Sequence, residues 1–356
     1  MKQIILRRAL SARPTATDFV AVDAPRPSCP ENGVVARVVH LSLDPYIGSR
    51  LRGRHMGQAP PRPESDPIPG AVVGQVIASR MPGVSPGDWV HGMDGAWAEE
   101  AALIAPRKLD PKLAPLGAHA GVLGMPGLTA WAGVTRLAQA GPGDVVLVDA
   151  AAGPVGGTVG QIARSRGAKR IVGVAGGPEK CRLVIDRYGF DACVDYQADG
   201  WREVLAAALP EPATILFENV GAALLSAGMA HLAPYGRVVL CGFAAHYHDD
   251  GPAAAIPAGP VIAKRAKIMG LVVYDFFPEW EEFLKEAAGL MREGRLTILE
   301  DRVQGLAAAP ALFERLVSGA TIGKAVVTVA AEENPLNRED PKTAADKKSR
   351  PPDPRA

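Results

Sequence analysis

Residues 144–163 read DVVLVDAAAGPVGGTVGQIA, and the fold follows from how this stretch divides. Asp144 to Asp149 is an almost continuous apolar run, the composition of a strand covered on both faces in a parallel sheet. The turn Gly141-Pro142-Gly143 sets its start. Behind it, Val155, Val159, Ile162 and Ala163 repeat at helical spacing and put one apolar stripe on a helix running to about Ser165. Arg170 to Val174 (RIVGV) is the next strand. Strand, helix and strand within about 30 residues form a βαβ unit, whose crossover is right-handed.

The turn inside this unit is Ala151-Ala152-Gly153-Pro154-Val155-Gly156, an AxGxxG variant of the dinucleotide-binding fingerprint. Gly153 lets the backbone approach a pyrophosphate, whose charge the helix N-terminus holds, and Gly156 lets helix and strand pack closely. Cofactor choice is read at the end of the second strand, where an acid would bind the ribose 2′-hydroxyl of NAD. That position is Ala175-Gly176-Gly177, and no acid stands there. Three residues on, Lys180 offers a cation to a 2′-phosphate, so the expected cofactor is NADPH/NADP.

The alternation continues with strands over Ala213 to Phe217 and Gly236 to Cys241 and a helix from Ala222 to Leu232 between them. Trp280, Phe283, Leu284, Ala287, Ala288 and Met291 keep helical spacing up to a stop at Gly294. A helix near Ala311 to Val317 and a strand from Lys324 to Val329 follow. The first ~120 residues differ: short β-branched stretches, Gly33 to His40, Ile68 to Ala78 and Asp88 to His91, are punctuated by Gly and Pro, as in a compact β-rich domain. The expected class is therefore α/β, a doubly wound parallel sheet beside a β-rich domain. Residues 331–356 carry six acids and six bases with Leu336 as the one large apolar side chain, so burial cannot offset their ordering entropy and a disordered tail is expected.

The 356 residues hold 39 Lys and Arg against 38 Asp and Glu, a net charge of +1, which leaves no general excess for a nucleic-acid backbone. Two domains are the expectation at this length. Cys29, Cys181, Cys193 and Cys241 form no CxxC pair, which fits neither a disulfide framework nor a zinc knuckle. The opening MKQIILRRALSARPT has a three-residue apolar stretch, Ile4 to Leu6, too short for a signal-peptide core, and no apolar run approaches the ~18 residues of a membrane helix. A cytoplasmic protein without membrane contact is expected.

Across residues 1 to 330 the chain resembles the medium-chain dehydrogenase/reductase superfamily, and within it the zinc-independent NADPH-dependent alkenal/one reductases, the group of leukotriene B4 dehydrogenase (prostaglandin reductase). The resemblance is carried by Leu43-Asp44-Pro45-Tyr46, Gly124 to Ala130 (GMPGLTA), the segment from Ala150, AGGPEK ending at Lys180, Glu218-Asn219-Val220-Gly221, Cys241-Gly242, Met269 to Val273 and Gly323-Lys324. It implies a GroES-like catalytic domain in two parts, residues 1–122 and 296–330, around a Rossmann NADP-binding domain at 123–295. It further implies that Gly153, Pro154, Val155 and Gly156 face the pyrophosphate, Lys180 and Tyr196 the adenosine ribose and its phosphate, and Asn219 the linking ribose. The loop Cys241, Gly242, Phe243 to Tyr247 and a strand of Leu271, Val272 and Val273 would border the nicotinamide. A homodimer is implied as well. Two departures stand out: Thr321 where relatives carry Asn, and a less polar loop over Phe243-Ala244-Ala245-His246.

No His is followed by Glu, and the place of the superfamily's first zinc ligand is Leu41-Ser42-Leu43-Asp44, so no metal is expected. His246 and His248 form an HxH pair beside Asp249 and Asp250, expected as a solvated loop. Without a Lewis acid the fitting chemistry is reduction of a C=C bond conjugated to a carbonyl, where hydride reaches the β-carbon and a hydrogen-bond donor stabilises the enolate. A tyrosine hydroxyl suits the donor's role. The candidates, in order, are Tyr247, Tyr46 and Tyr274. The substrate would be a small enone or enal. A quinone oxidoreductase, or a non-catalytic NADPH-binding sensor, is the alternative. No Tyr-x-x-x-Lys dyad occurs, and Gly83-Val84-Ser85-Pro86-Gly87, which matches Gly-x-Ser-x-Gly, is the turn before the strand Asp88 to His91 and not a strand-to-helix elbow.

Overall fold

The computed structural model describes residues 1–248, 255–256 and 258–332. Asp249, Asp250 and the expected disordered segment from residue 333 onward lie outside the described residues. The chain opens with an antiparallel pair, β1 (Lys2–Leu6) and β2 (Phe19–Asp23). Then come β3 (Gly33–Ser42), a short helix α1 (Tyr46–Leu51), β4 (Val72–Ser79), β5 (Trp89–Gly92), β6 (Glu100–Ile104) and β7 (Arg107–Leu109).

From here helices and strands alternate. In order they are α2 (Met125–Ala132), β8 (Val145–Val148), α3 (Pro154–Ser165), β9 (Arg170–Ala175), α4 (Pro178–Tyr188) and β10 (Ala192–Asp195). The series continues with α5 (Trp201–Ala208), β11 (Ala213–Glu218), α6 (Ala222–Ala230), β12 (Leu232–Leu240), α7 (Ala258–Lys264), β13 (Lys267–Gly270) and α8 (Trp280–Arg292). Last are β14 (Glu300–Gln304), α9 (Ala309–Val317) and β15 (Lys324–Thr328).

The six strands from β8 to β13 form one parallel sheet in the order β10-β9-β8-β11-β12-β13. Strand β8 shows why its sequence is apolar throughout. Val146 and Val148 enter one core with Trp131, Ile162, Phe217 and Phe283, while Val145 and Leu147 enter a second with Val172, Leu216 and Leu225. Both faces are covered, at about 1.5–3 kcal/mol of burial per large side chain. The order reverses direction between β8 and β11, and such a switch point opens a crevice at the carboxyl ends of the strands.

The second large sheet has the order β14-β15-β3-β4-β5-β7, with β6 also on β3. Strands from the two ends of the chain meet in it, as Val326 of β15 pairs with Ser42 of β3. Its core holds Trp97, Phe19 and Phe313, stacked or edge-on within 5.3–6.1 Å.

Four expectations need correction. The strand expected over Leu271 to Val273 ends earlier, at Gly270, because its partner β12 stops at Leu240 and the last rung is Leu271 N–H to Leu240 O at 2.9 Å. A 3₁₀ helix over Val273–Glu279 takes its place. The helix from Ala222 stops at Ala230, and β12 starts at Leu232 rather than Gly236, through a register shift against β11 and a left-handed Tyr235 (φ 62°). The tail's first residues are anchored, since Glu332 reaches buried His40 at 2.7 Å. His248 is buried rather than solvated.

Candidate active site

The crevice is shaped by what its backbone cannot accommodate. A Cβ on Gly156 would lie 2.5 Å from the Ala150 carbonyl oxygen and 2.7 Å from that of Asp149, so only glycine lets α3 start this close to β8. Ala150 itself is held at φ 45°, a strained turn between strand and helix. Gly153 caps α3, with Pro154 and Val155 in its first turn, so the unpaired N–H groups of a twelve-residue helix open at the switch point.

At the end of β9, Gly177 (φ 95°) caps α4 and donates its N–H to Asp195 Oδ1 at 2.7 Å. Asp195, at the end of β10, also accepts the Gln197 N–H at 3.0 Å and so shapes the turn that the sequence left without an acid of its own. The Tyr196 ring lies against Gly176 and is exposed. Lys180, on the first turn of α4, donates to the Gly319 carbonyl at 2.5 Å, which ties this corner to the loop after α9. Burial lowers its pKa, against the pull of Asp301 and Glu179.

Between the switch-point strands, the Asn219 backbone N–H donates to Asp149 Oδ1 at 2.7 Å, and its side-chain amide donates to the Asp149 carbonyl at 3.1 Å and to Oδ1 at 3.2 Å. Both amide donors are therefore spent inward. Glu218 Oε1 accepts the N–H groups of Val220 (2.8 Å) and Gly221 (2.5 Å). Burial and the adjacent Asp149 charge push the Glu218 carboxyl well above its ordinary range, and burial raises Asp149 too. Cys241, just past β12, has its thiol pushed up to about 12 by burial, with the Asp149 and Glu218 charges adding.

The loop after Cys241 runs across Gly242, where a Cβ would stand 2.9 Å from the Tyr247 hydroxyl oxygen. That hydroxyl is pushed up to about 12, chiefly by burial, then by Cys241, against a hydrogen bond from the Phe243 backbone. It therefore stays protonated through the neutral range and can donate. Phe243 stacks edge-on to His246 at 6.4 Å, and His246 Nε2 accepts the Ala222 N–H at 3.4 Å, capping α6. His248 points elsewhere: its ring lies on Gly48 of α1, where a Cβ would be 2.2 Å away. The two histidines of the HxH pair thus serve different elements.

Opposite stands α1. Tyr46 opens it and stacks on His55 at 4.7 Å, and His55 Nε2 is 3.0 Å from the Tyr274 hydroxyl. Burial, then Asp44 and Tyr274, raise the Tyr46 hydroxyl far above its ordinary value, and burial raises Tyr274. Tyr46 and Tyr274 are thereby brought together, with His55 as a member that no motif around it announced. Leu271 does not line the cleft with its side chain, which packs into the core above Gly133. Val272 and Val273 stay half-buried beside Tyr274.

A buried pair underlies this wall. Lys324 Nζ donates to the Leu43 carbonyl and, at 2.7 Å, to Asp44 Oδ1, while Ser42 Oγ donates to Asp44 Oδ2 at 2.6 Å. Just before it, Gly323 N–H donates to the Ala152 carbonyl at 2.8 Å, joining the returning chain to the fingerprint turn. Gly323 (φ 70°) has the Leu299 carbonyl oxygen 2.1 Å from where a Cβ would sit.

Residues 154–289 match the family described as zinc-binding dehydrogenase, and residues 2–109 match an N-terminal domain of oxidoreductase. A 2-alkenal reductase (NADP(+)-dependent) of Nicotiana tabacum is 34% identical over 345 residues, which are 93% of this chain and 98% of that one. The chain belongs to the medium-chain dehydrogenase/reductase superfamily, in its NADPH-dependent alkenal reductase family. An NADPH-dependent curcumin reductase of Escherichia coli (strain K12) is 36% identical over 320 residues, covering 85% of this chain and 89% of the relative. Among solved structures, CurA of Vibrio vulnificus in complex with NADPH superposes with a TM-score of 0.86 at 31% identity, over 93% of this chain and all of that one.

The superfamily's cofactor and metal can be tested against these residues separately. The crevice fits a dinucleotide: a turn whose Gly156 has no room for a Cβ, an open helix N-terminus and a pinned Asn219. A zinc ion fits poorly. Among the described residues no three His, Cys, Asp or Glu side chains converge, and the segment Leu41 to Asp44 already receives the Lys324 ammonium.

Proposed function

We propose that this protein reduces the C=C bond of α,β-unsaturated ketones and aldehydes with NADPH and without a metal. The observation that carries the reading is the pairing of a cofactor crevice at the switch point with a half-buried tyrosine hydroxyl, that of Tyr247, over Gly242. Its relatives' named activities support the same class of substrate.

When bound, NADPH supplies a hydride. Gly153 to Gly156 with the α3 N-terminus hold its pyrophosphate. Lys180 and Tyr196 hold the phosphorylated ribose, and the Asn219 amide oxygen, left over after both amide donors turn inward, accepts from the linking ribose. Hydride arriving at the substrate's β-carbon moves charge to the carbonyl oxygen. The Tyr247 hydroxyl, protonated at neutral pH, donates a hydrogen bond to that oxygen, and a proton delivered from water to the α-carbon would complete the saturated product. Tyr46, half-buried beside His55 and Tyr274, is the second donor and serves the cleft wall.

The division 1–122 and 296–330 against 123–295 belongs to this reading, supported by the meeting of β3 and β15 in one sheet. So does a homodimer through the parallel sheet's edge strand β13, beside which Tyr235 and Ile262 are 70% and 76% exposed. A cytoplasmic site is supported by four unpaired thiols, and no helix among the described residues is long and apolar enough to cross a membrane.

The test is NADPH oxidation with a simple enone, a simple quinone and a saturated ketone. Turnover is expected with the enone and not the saturated ketone. No enone turnover contradicts the reading, and turnover with the quinone alone replaces it by a quinone oxidoreductase.

A further inference from the structure

We propose that Asp149 and Glu218 share a single proton across the switch point, and that this proton-linked pair is the device that positions Asn219 for the cofactor. The second clause rests on the cofactor reading above; the first does not. Strand register brings the two together: Phe217 pairs with Val148, so the next residues of the parallel strands β11 and β8 are Glu218 and Asp149. Both are almost fully buried, at 0% and 2% exposure.

Each carboxyl group spends one oxygen on backbone or amide donors. Asp149 Oδ1 takes two N–H groups of Asn219, and Glu218 Oε1 takes those of Val220 and Gly221. The other oxygen of each, Asp149 Oδ2 and Glu218 Oε2, is buried with no hydrogen-bond donor. Two such buried acceptors on neighbouring strand ends, both without a donor, describe a carboxyl–carboxylate pair missing only its proton. Two adjacent buried carboxylates cannot both ionise at modest cost, and a single shared proton satisfies both orphaned oxygens at once.

The titratable groups that face the pair are few. Each carboxyl faces the other, the Cys241 thiol at the end of β12 feels both, and His246 caps the same turn at Gly221 and Ala222. With the proton in place, Asp149 Oδ1 remains an acceptor for Asn219 and Glu218 Oε1 remains one for the turn at Val220 and Gly221. When it leaves, two like charges oppose each other beneath the turn that carries Asn219. These are positioning residues; neither needs to touch the substrate.

The experiment pairs infrared spectroscopy with NADPH titration across pH. The wild-type protein should carry a protonated-carboxyl carbonyl band at about pH 8, above the ordinary carboxyl range, and Glu218→Gln should remove it. NADPH affinity of the wild type should hold through the neutral range and weaken about 10-fold or more as the proton is lost at alkaline pH. Glu218→Gln, whose amide supplies a permanent donor, should bind within about 3-fold of wild type and lose the alkaline limb. Glu218→Ala should be weakened about 10-fold or more at every pH, the size expected when a buried acceptor loses its donor. Asp149→Asn is the second conservative variant, should the alanine protein fail to fold, and should likewise flatten the alkaline limb. No carboxyl band, or Glu218→Gln as weak as Glu218→Ala, overturns the shared proton. A band together with undiminished NADPH binding by Glu218→Ala overturns the positioning role. A wild type that shows the band and binds no NADPH overturns that role together with the cofactor reading, leaving the shared proton standing.

Discussion

The cofactor crevice and the cleft wall facing it are built by different means. The crevice is made of backbone: Gly156, which admits no Cβ, a helix N-terminus, and main-chain N–H groups drawn onto Asp195, Asp149 and Glu218. The wall is made of side chains from separate loops, with Tyr46 on His55, His55 on Tyr274, and His248 on Gly48. A backbone site tolerates no added atom but is indifferent to many side chains. A side-chain site can lose one member and keep its shape, so the two regions should fail in different ways and by different amounts.

The largest break is expected in the crevice. Gly156→Val puts branched carbon where even a Cβ meets carbonyl oxygens at 2.5 and 2.7 Å, and NADPH affinity should fall more than about 100-fold in calorimetric titration. A variant that binds normally would mean the crevice is not where the cofactor sits. Next is the wall. Tyr247→Phe keeps the ring and removes the donor, so kcat for an enone should drop about 100-fold while the Kd for NADPH stays within a few-fold. An unchanged kcat would take this hydroxyl out of the chemistry.

Lys180→Ala sharpens the comparison, since it removes a side chain from the crevice's edge. NADPH should weaken about 10-fold with NADH unaffected, the scale of one charge-assisted hydrogen bond. Equal losses for both would assign Lys180 to its Gly319 contact instead. The smallest effect is expected from His55→Ala, which unstacks Tyr46 and frees Tyr274. KM for the enone should rise a few-fold with kcat nearly unchanged, whereas a collapse in kcat would give His55 a direct part in the proton transfer.

The same contrast explains what the sequence disclosed. The strand–turn–helix of residues 144–163 is local, so its apolar run, its glycines and its helical stripe could all be read from neighbours in the chain. The strand ends were less legible. Leu271 looked like more strand because it is apolar, but a strand needs a partner, and β12 stops at Leu240. His55 gave no signal and His248 only an HxH spacing that misled, as their meaning depends on Tyr274 and Gly48, some two hundred residues away in each case. Asp149 and Glu218 became neighbours only through the strand order that sets β8 beside β11. Lys180 was noticed for its charge, and its bond to Gly319 depends on the returning chain.

The central claim is that hydride reaches the carbon conjugated to the carbonyl rather than the carbonyl carbon itself. NADPH deuterated on its transferable nicotinamide carbon, turned over with a simple enone, tests this by locating the label in the product by nuclear magnetic resonance. The label should lie on the β-carbon of a saturated ketone. Label on the carbonyl carbon of an allylic alcohol would contradict the proposed chemistry outright.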